Sequence, residues 1–211
     1  MALDSFQSLI DSVRAWSKRK DAGDLLIGDF IRLAEVEMFA NRQEILLLDD
    51  MDTRSTSVTS TTERFLPKPP GYIKMRRLWL LLDSRDQEID FVIAKALKVT
   101  RTPGIPAEFT VTSQIGFDRI PSSAIPIEMQ FYSRPPGLSI DNKTNFVLDE
   151  YPNIYLNGAL RQLWKHFKEE ELSQYYLDQF IGDIEGANMV ESDGRYGPSP
   201  SAILENSEAM P

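Results

Sequence analysis

A chain of 211 residues with 42% hydrophobic and 26% charged side chains can bury a sizeable core, and its balance is that of a globular protein rather than a fibrous or disordered one. Its 23 Lys and Arg against 32 Asp and Glu leave a formal charge of -9, the wrong sign for a surface dedicated to gripping phosphates. With no cysteine and one histidine, disulfides, thiolate metal sites, cysteine nucleophiles and histidine-rich metal centres are excluded.

Taken in order, MALDSFQSLIDS carries acidic residues where a secretory signal has a basic flank, and no apolar run approaches the roughly 20 residues that span a bilayer. The expectation is a soluble, cytosolic chain. Phe6, Leu9, Ile10, Val13 and Trp16 recur at helical spacing, with Asp4 or Ser5 as the cap. The cations Lys18, Arg19 and Lys20 suit the negative pole of that helix. Ile27, Phe30, Ile31, Ala34 and Met38 form the stripe of a second helix, with Asp29 as a possible cap. The short connection predicts an antiparallel pair.

From residue 51 Ser and Thr dominate and the apolar period shortens toward two. Strands are predicted at 76–83, 108–118 and 126–134, separated by Pro-rich turns. Residues 91–99 read as a helical turn, from Ala94, Ala96 and Leu97. The segment 53–62 has few apolar anchors and is expected to project from the body until a neighbour completes it. Helical spacing returns after Pro152, which suits a first helical position, with Asp149 and Asn153 as candidate caps. Helices follow at 154–168 and at about 171–187, the second marked by Leu172, Tyr176, Phe180 and Ile184.

The fold class expected is α+β: a helical bundle from the N- and C-terminal helices, with an inserted antiparallel β region and an extended C-terminal tail. In residue numbers these are helices at 1–50, the β-rich insertion at 51–150, helices at 151–187 and the tail at 188–211. Trp16 and Trp164 sit on apolar stripes and are expected inside the bundle.

No catalytic constellation stands out. His166 lies on a helix without a placeable partner, and Asp49, Asp50 and Asp52 lack the Gly and Glu of a calcium loop. Arg76 and Arg77 precede a sticky apolar strand, as gatekeeper charges do. No Walker A, Rossmann or nucleophile-elbow pattern is present. The expectation is therefore no enzyme, no cofactor and no metal. In the tail, Tyr196, Pro198, Ile203 and Leu204 stand in otherwise polar composition, an arrangement suited to folding onto a partner or a neighbouring subunit.

The ordered set DLLIGDFIRLAEVEM, FLPKPPGYIKMRRLWL, PGIPAEFTVTSQIGFDRIP, IEMQFYSRPPGLS and TNFVLDEYPNIYLNGALRQLWKHF resembles the head-to-tail adaptor proteins of tailed bacteriophages, over roughly residues 5–185. The resemblance implies a structural subunit of the virion neck, assembled in the host cytoplasm. It further implies a ring, usually dodecameric, that docks under the portal protein and seats tail or nozzle proteins. Such a ring surrounds DNA without binding it specifically and needs no membrane. The acidic balance would then let DNA slide past, or else keep the free subunit soluble. Lys68, Pro69 and Pro70 stand where these proteins often carry an acidic residue, which departs from the pattern. The alternatives are a non-viral β-rich protein-binding module and a carboxylate-based hydrolase.

Overall fold

The computed structural model describes residues 3–40 and 44–196, with the backbone alone for 192–196. Helices from both ends of the chain and an inserted β region make the expected α+β architecture. The chain divides into two compact units, Met1–Asp49 with Pro135–Pro211 and Asp50–Arg134. The insertion thus ends at Arg134 and not at 150.

In the helical unit, α1 (Phe6–Ser17) starts on a capping box in which Ser5 Oγ accepts from Ser8 N and Ser8 Oγ accepts from Ser5 N. It stops at Lys18, which takes the left-handed conformation. α2 (Asp24–Met38) begins after Gly23, so Asp29 lies inside the helix and is not its cap. The short α3 (Phe146–Glu150) is capped by Asn145, whose Oδ1 accepts from Leu148 N at 3.0 Å. α4 (Pro152–His166) follows, with Pro152 at its start and no side-chain cap. Neither Asp149 nor Asn153 performs the capping expected of it, because the chain breaks into a separate helical turn first.

α5 (Glu170–Tyr196) runs nine residues past the expected end at 187. Gly158 lets α4 lie close to both neighbours: a Cβ there would stand 2.8 Å from Ala34 Cβ and 2.9 Å from a ring carbon of Phe180. The two helical regions therefore share one core, with Leu9, Ile31, Leu160, Phe180 and Ile184 all buried.

Trp16 is a correction, for it is 61% exposed. The buried stripe of α1 is centred on Leu9, Ile10, Val13 and Ser17, and Trp16 falls at its border in the last turn. Trp164 is half-buried, its indole Nε1 enclosed and without an acceptor among the described residues.

The β unit has its own core between two four-stranded sheets. In the first, β1 (Asp52–Val58), β8 (Pro126–Ser133), β3 (Tyr72–Leu82) and β4 (Arg85–Glu88) lie side by side, all antiparallel. The second holds β2 (Phe65–Leu66), β7 (Ile115–Phe117), β6 (Glu108–Val111) and β5 (Asp90–Phe91). β5 pairs parallel to β6, so the insertion is not wholly antiparallel. Alternation puts Leu78, Leu80, Ile127, Met129 and Phe131 of one sheet into a cluster with Phe109, Ile115 and Phe117 of the other.

The segment at 53–62 does not project. Asp52–Val58 pairs along its whole length with β8, because a strand is held by backbone hydrogen bonds and an edge position tolerates Thr and Ser. Residues 91–99 mix both readings, with β5 closing at Phe91 and Ile93 O accepting from Ala96 N and Leu97 N in a helical turn.

Candidate functional site

Of the tail residues proposed as anchors, Tyr196 closes α5, while Pro198, Ile203 and Leu204 lie outside the described residues. The stretch just before them is built into the helical unit. Asn188 Oδ1 accepts from Leu47 N at 2.9 Å, and its Nδ2 donates to Glu44 Oε1 and Ile45 O at 2.7 and 2.9 Å. Glu191 accepts from Asp49 N and from the Tyr151 hydroxyl. A single turn of α5 thus clasps the segment that leads into the β unit.

Where the sequence raised chemistry, the structure places packing. His166 sits 5.4 Å from the Phe30 ring and 5.1 Å from Phe167. Asp52 accepts from Gln130 Nε2 at 2.7 Å and pairs with Arg76, whose guanidinium also lies over Tyr132. Arg77 approaches Glu88 at 3.9 Å. Among the described residues no group of three or more His, Asp or Glu converges to hold a metal.

Glu35 anchors a partly buried hydrogen-bond network. Its Oε1 accepts from Leu138 N at 2.6 Å and from the Tyr155 hydroxyl at 3.1 Å. Burial raises its pKa above the ordinary carboxylate value, against the lowering effect of those hydrogen bonds. Burial, then the Glu35 charge, pushes the Tyr155 phenol far up. Asn145 Nδ2 completes the chain by donating to the Tyr155 oxygen at 2.8 Å and to Pro136 O at 3.0 Å. The Tyr155 phenol and a carboxylate fixed by two donors make a latch for the returning chain.

An open cleft of about 420 Å³ lies where α4 meets α5, lined by Arg161, Lys165, Lys168 and Glu170 among others. Arg161 is drawn to Glu37 of α2, which also accepts from Gln162 Nε2 at 2.7 Å. The Ser173 hydroxyl that also lines it donates to the Arg161 carbonyl at 3.5 Å.

The surfaces are more informative than the cavities. Leu25 is 85% exposed, and Leu33 and Val36 on the same side of α2 are exposed too. α5 shows Leu172, Tyr175 and Met189 to solvent, so Leu172 departs from the inward stripe expected for it with Tyr176, Phe180 and Ile184. Charge is also unequal between the units. The helical unit has 22 acidic and 11 basic side chains, a formal -11, and the β unit 10 and 12, a formal +2.

Exposed apolar helix faces fit a part that joins other parts. The sequence pattern of the family described as SU10 adaptor protein matches residues 4–202. The chain belongs to the SU10 adaptor protein family. It is thus a phage adaptor, a structural component of the virion that associates with other head and tail components. No curated protein matches it. No helix among the described residues is long and apolar enough to cross a membrane. For an adaptor the working site is an assembly surface, and in the PGIPAEFTVTSQIGFDRIP stretch that contributes to the resemblance Asp118 is architectural. Asp118 is buried, accepting from Ala107 N at 3.1 Å and Arg119 Nε at 2.8 Å, and so holds the Pro-rich loop to the second sheet.

Proposed function

We propose that this adaptor is a ring-forming subunit of the phage neck that docks beneath the portal protein after packaging and joins the DNA-filled head to tail or nozzle proteins. The observation that carries the reading is the apolar surface that the helical unit leaves outside its own core, with Leu25 at 85% and Met189 at 65% exposure. Monomers seldom leave such faces uncovered unless a partner takes them. The acidic balance suits a dodecameric ring through which DNA passes without adhering. Imaging of isolated necks tests the proposal. A rotationally symmetric ring of this chain between portal and tail is the expected result; a chain found elsewhere in the virion would overturn it.

The last residue of α5 and those beyond it supply the portal contact in this proposal, through Tyr196, Pro198, Ile203 and Leu204. A truncation that tests this must begin after Tyr196, since Asn188 and Glu191 hold the helical unit together. The full-length double variant Ile203→Asp, Leu204→Asp is expected to lose co-sedimentation with portal rings. Undiminished co-sedimentation would move the contact to the body of the protein.

A further inference from the structure

The outer face of α5 repeats at spacings of three and four through Leu172, Tyr175, Gln179, Gly182, Gly186 and Met189. That is the heptad seam of a helix that packs along another helix. The inward face of α5 is a different stripe, with Phe180, Ile184 and Ala187 buried. Leu172, Tyr175, Gln179 and Met189 are exposed, and a Cβ on Gly182 or Gly186 would meet nothing within 4 Å. Glycine inside a helix weakens it relative to alanine. Two of them, one turn apart on an open seam, leave a shallow track for a partner's bulky side chains.

Charge selects the occupant. Between Glu169 and Gly194 the chain has eight acidic residues and no Lys or Arg, so two copies of α5 laid together would repel. Glu171, Asp178 and Glu185 recur every seventh residue beside the seam, the flanking position that sets partner choice in coiled coils. α2 offers the complement. Leu25, Asp29, Arg32, Leu33 and Val36 fall on one exposed arc of that helix, where Arg32 offsets Asp29. Just upstream, Arg14 pairs with Asp11 and Asp24 and Arg19 with Asp21, which leaves the exposed Lys18 and Lys20 to face a partner. The α2 stripe is about 17 Å long and the α5 seam about 26 Å, so one fits within the other.

We infer that the outer seam of α5 docks on the exposed stripe of α2 in a second copy of this chain. Leu25, Leu33 and Val36 pack over Gly182 and Gly186, and the flanking acids face Arg32 and the cations of the α1–α2 turn. The contact joins two different surfaces, so each copy keeps one of each free and the series propagates until rotation closes it. Closure rests on the ring proposed above; the contact itself rests on the two stripes.

The cysteine-free sequence suits a cross-linking test with a short bismaleimide on full-length protein. The double variant Val36→Cys, Gln179→Cys is expected to give a ladder of dimers, trimers and higher species. A mixture of the two single variants should stop at dimer, and either alone should stay monomeric. Dimer from Gln179→Cys alone, or only monomer from the double variant, would overturn the inference. In the companion variant Gly182→Gln, Gly186→Gln the new side chains enter open space, so the subunit should melt no lower than the parent while association falls at least tenfold by sedimentation. Unchanged rings from that variant would remove this contact and leave the ring reading intact. A parent protein that stays monomeric at every concentration and beside portal would remove both.

Discussion

The two units solve the problem of stability in opposite ways. The β unit closes around apolar side chains from both sheets and pairs charge across the outer face of its first sheet, Arg54 with Glu128 at 2.9 Å and Arg76 with Asp52. The helical unit encloses polar latches, Glu35 with Tyr155 and Asn188 with residues 44–47, and leaves Leu25, Leu33, Tyr175 and Met189 in solvent. Its charge of -11 against +2 follows the same division. The contrast teaches where each unit puts its polar bonds, on a sheet face in one and between helices in the other, while both leave apolar side chains in solvent, Phe91 and Ile93 in the β unit as well as Leu25 and Met189 in the helical one.

The most forceful way to break the comparison is a reciprocal pair of core substitutions. Phe131→Ala removes a buried ring from the β unit and should cost about 4 kcal/mol. Gly158→Leu forces a side chain between Ala34 and Phe180 and should cost the helical unit about 3 kcal/mol. Hydrogen exchange is expected to show each loss confined to its own unit. If either substitution lowers protection in both, the two cores fold as one.

Asn188→Ala comes next, at about 2 kcal/mol, since it leaves the Leu47 amide and Ile45 carbonyl without their partner. Chemical denaturation followed by helical signal measures it. A change within error would mean that the end of α5 contributes nothing to the unit.

The smallest effect sharpens the electrostatic side of the contrast. Burial raises the pKa of Glu35 and of Asp183, so the folded helical unit holds protons that the unfolded chain has already released. Stability from these groups is fully present at low pH and declines as pH rises from the ordinary carboxylate range through the raised folded values. Glu35→Gln is expected to flatten the part due to Glu35 in melting curves taken between pH 4 and pH 7. An unchanged slope would show that this carboxylate titrates as it would in water.

What the sequence conveyed was whatever repeats locally. The stripes through Ile27, Ile31 and Ala34 and through Leu156, Leu160 and Leu163 are periodic, and those helices were legible. So were the alternating Ile127, Met129 and Phe131. Long-range partners leave no local trace. Asn188 meets Leu47 from 141 positions away, and in isolation its neighbourhood of Gly, Asn and Ser resembles a tail. Residues 135–145 read as insertion because helical spacing returns only after Pro152; they lie in the helical unit, where Glu35 accepts from the Leu138 amide. Trp16 misled for a different reason, since periodicity gives a direction but not how far the covering helices extend. The open seam on α5 was readable in the spacing of Leu172, Tyr175, Gln179 and Gly182, but the stronger period-four stripe masked it.

Mechanically, α5 is a strut about 40 Å long, tied near its middle where Phe180 lies beside Gly158 and again near its end where Asn188 and Glu191 grip residues 44–49. A beam with two supports resists bending between them and passes an axial pull straight to the outer one. The outer support is the stretch of chain that enters the β unit at Asp50. Tension applied beyond Tyr196 therefore arrives at that crossing through a handful of hydrogen bonds, without having to travel through the packed interior of the helices.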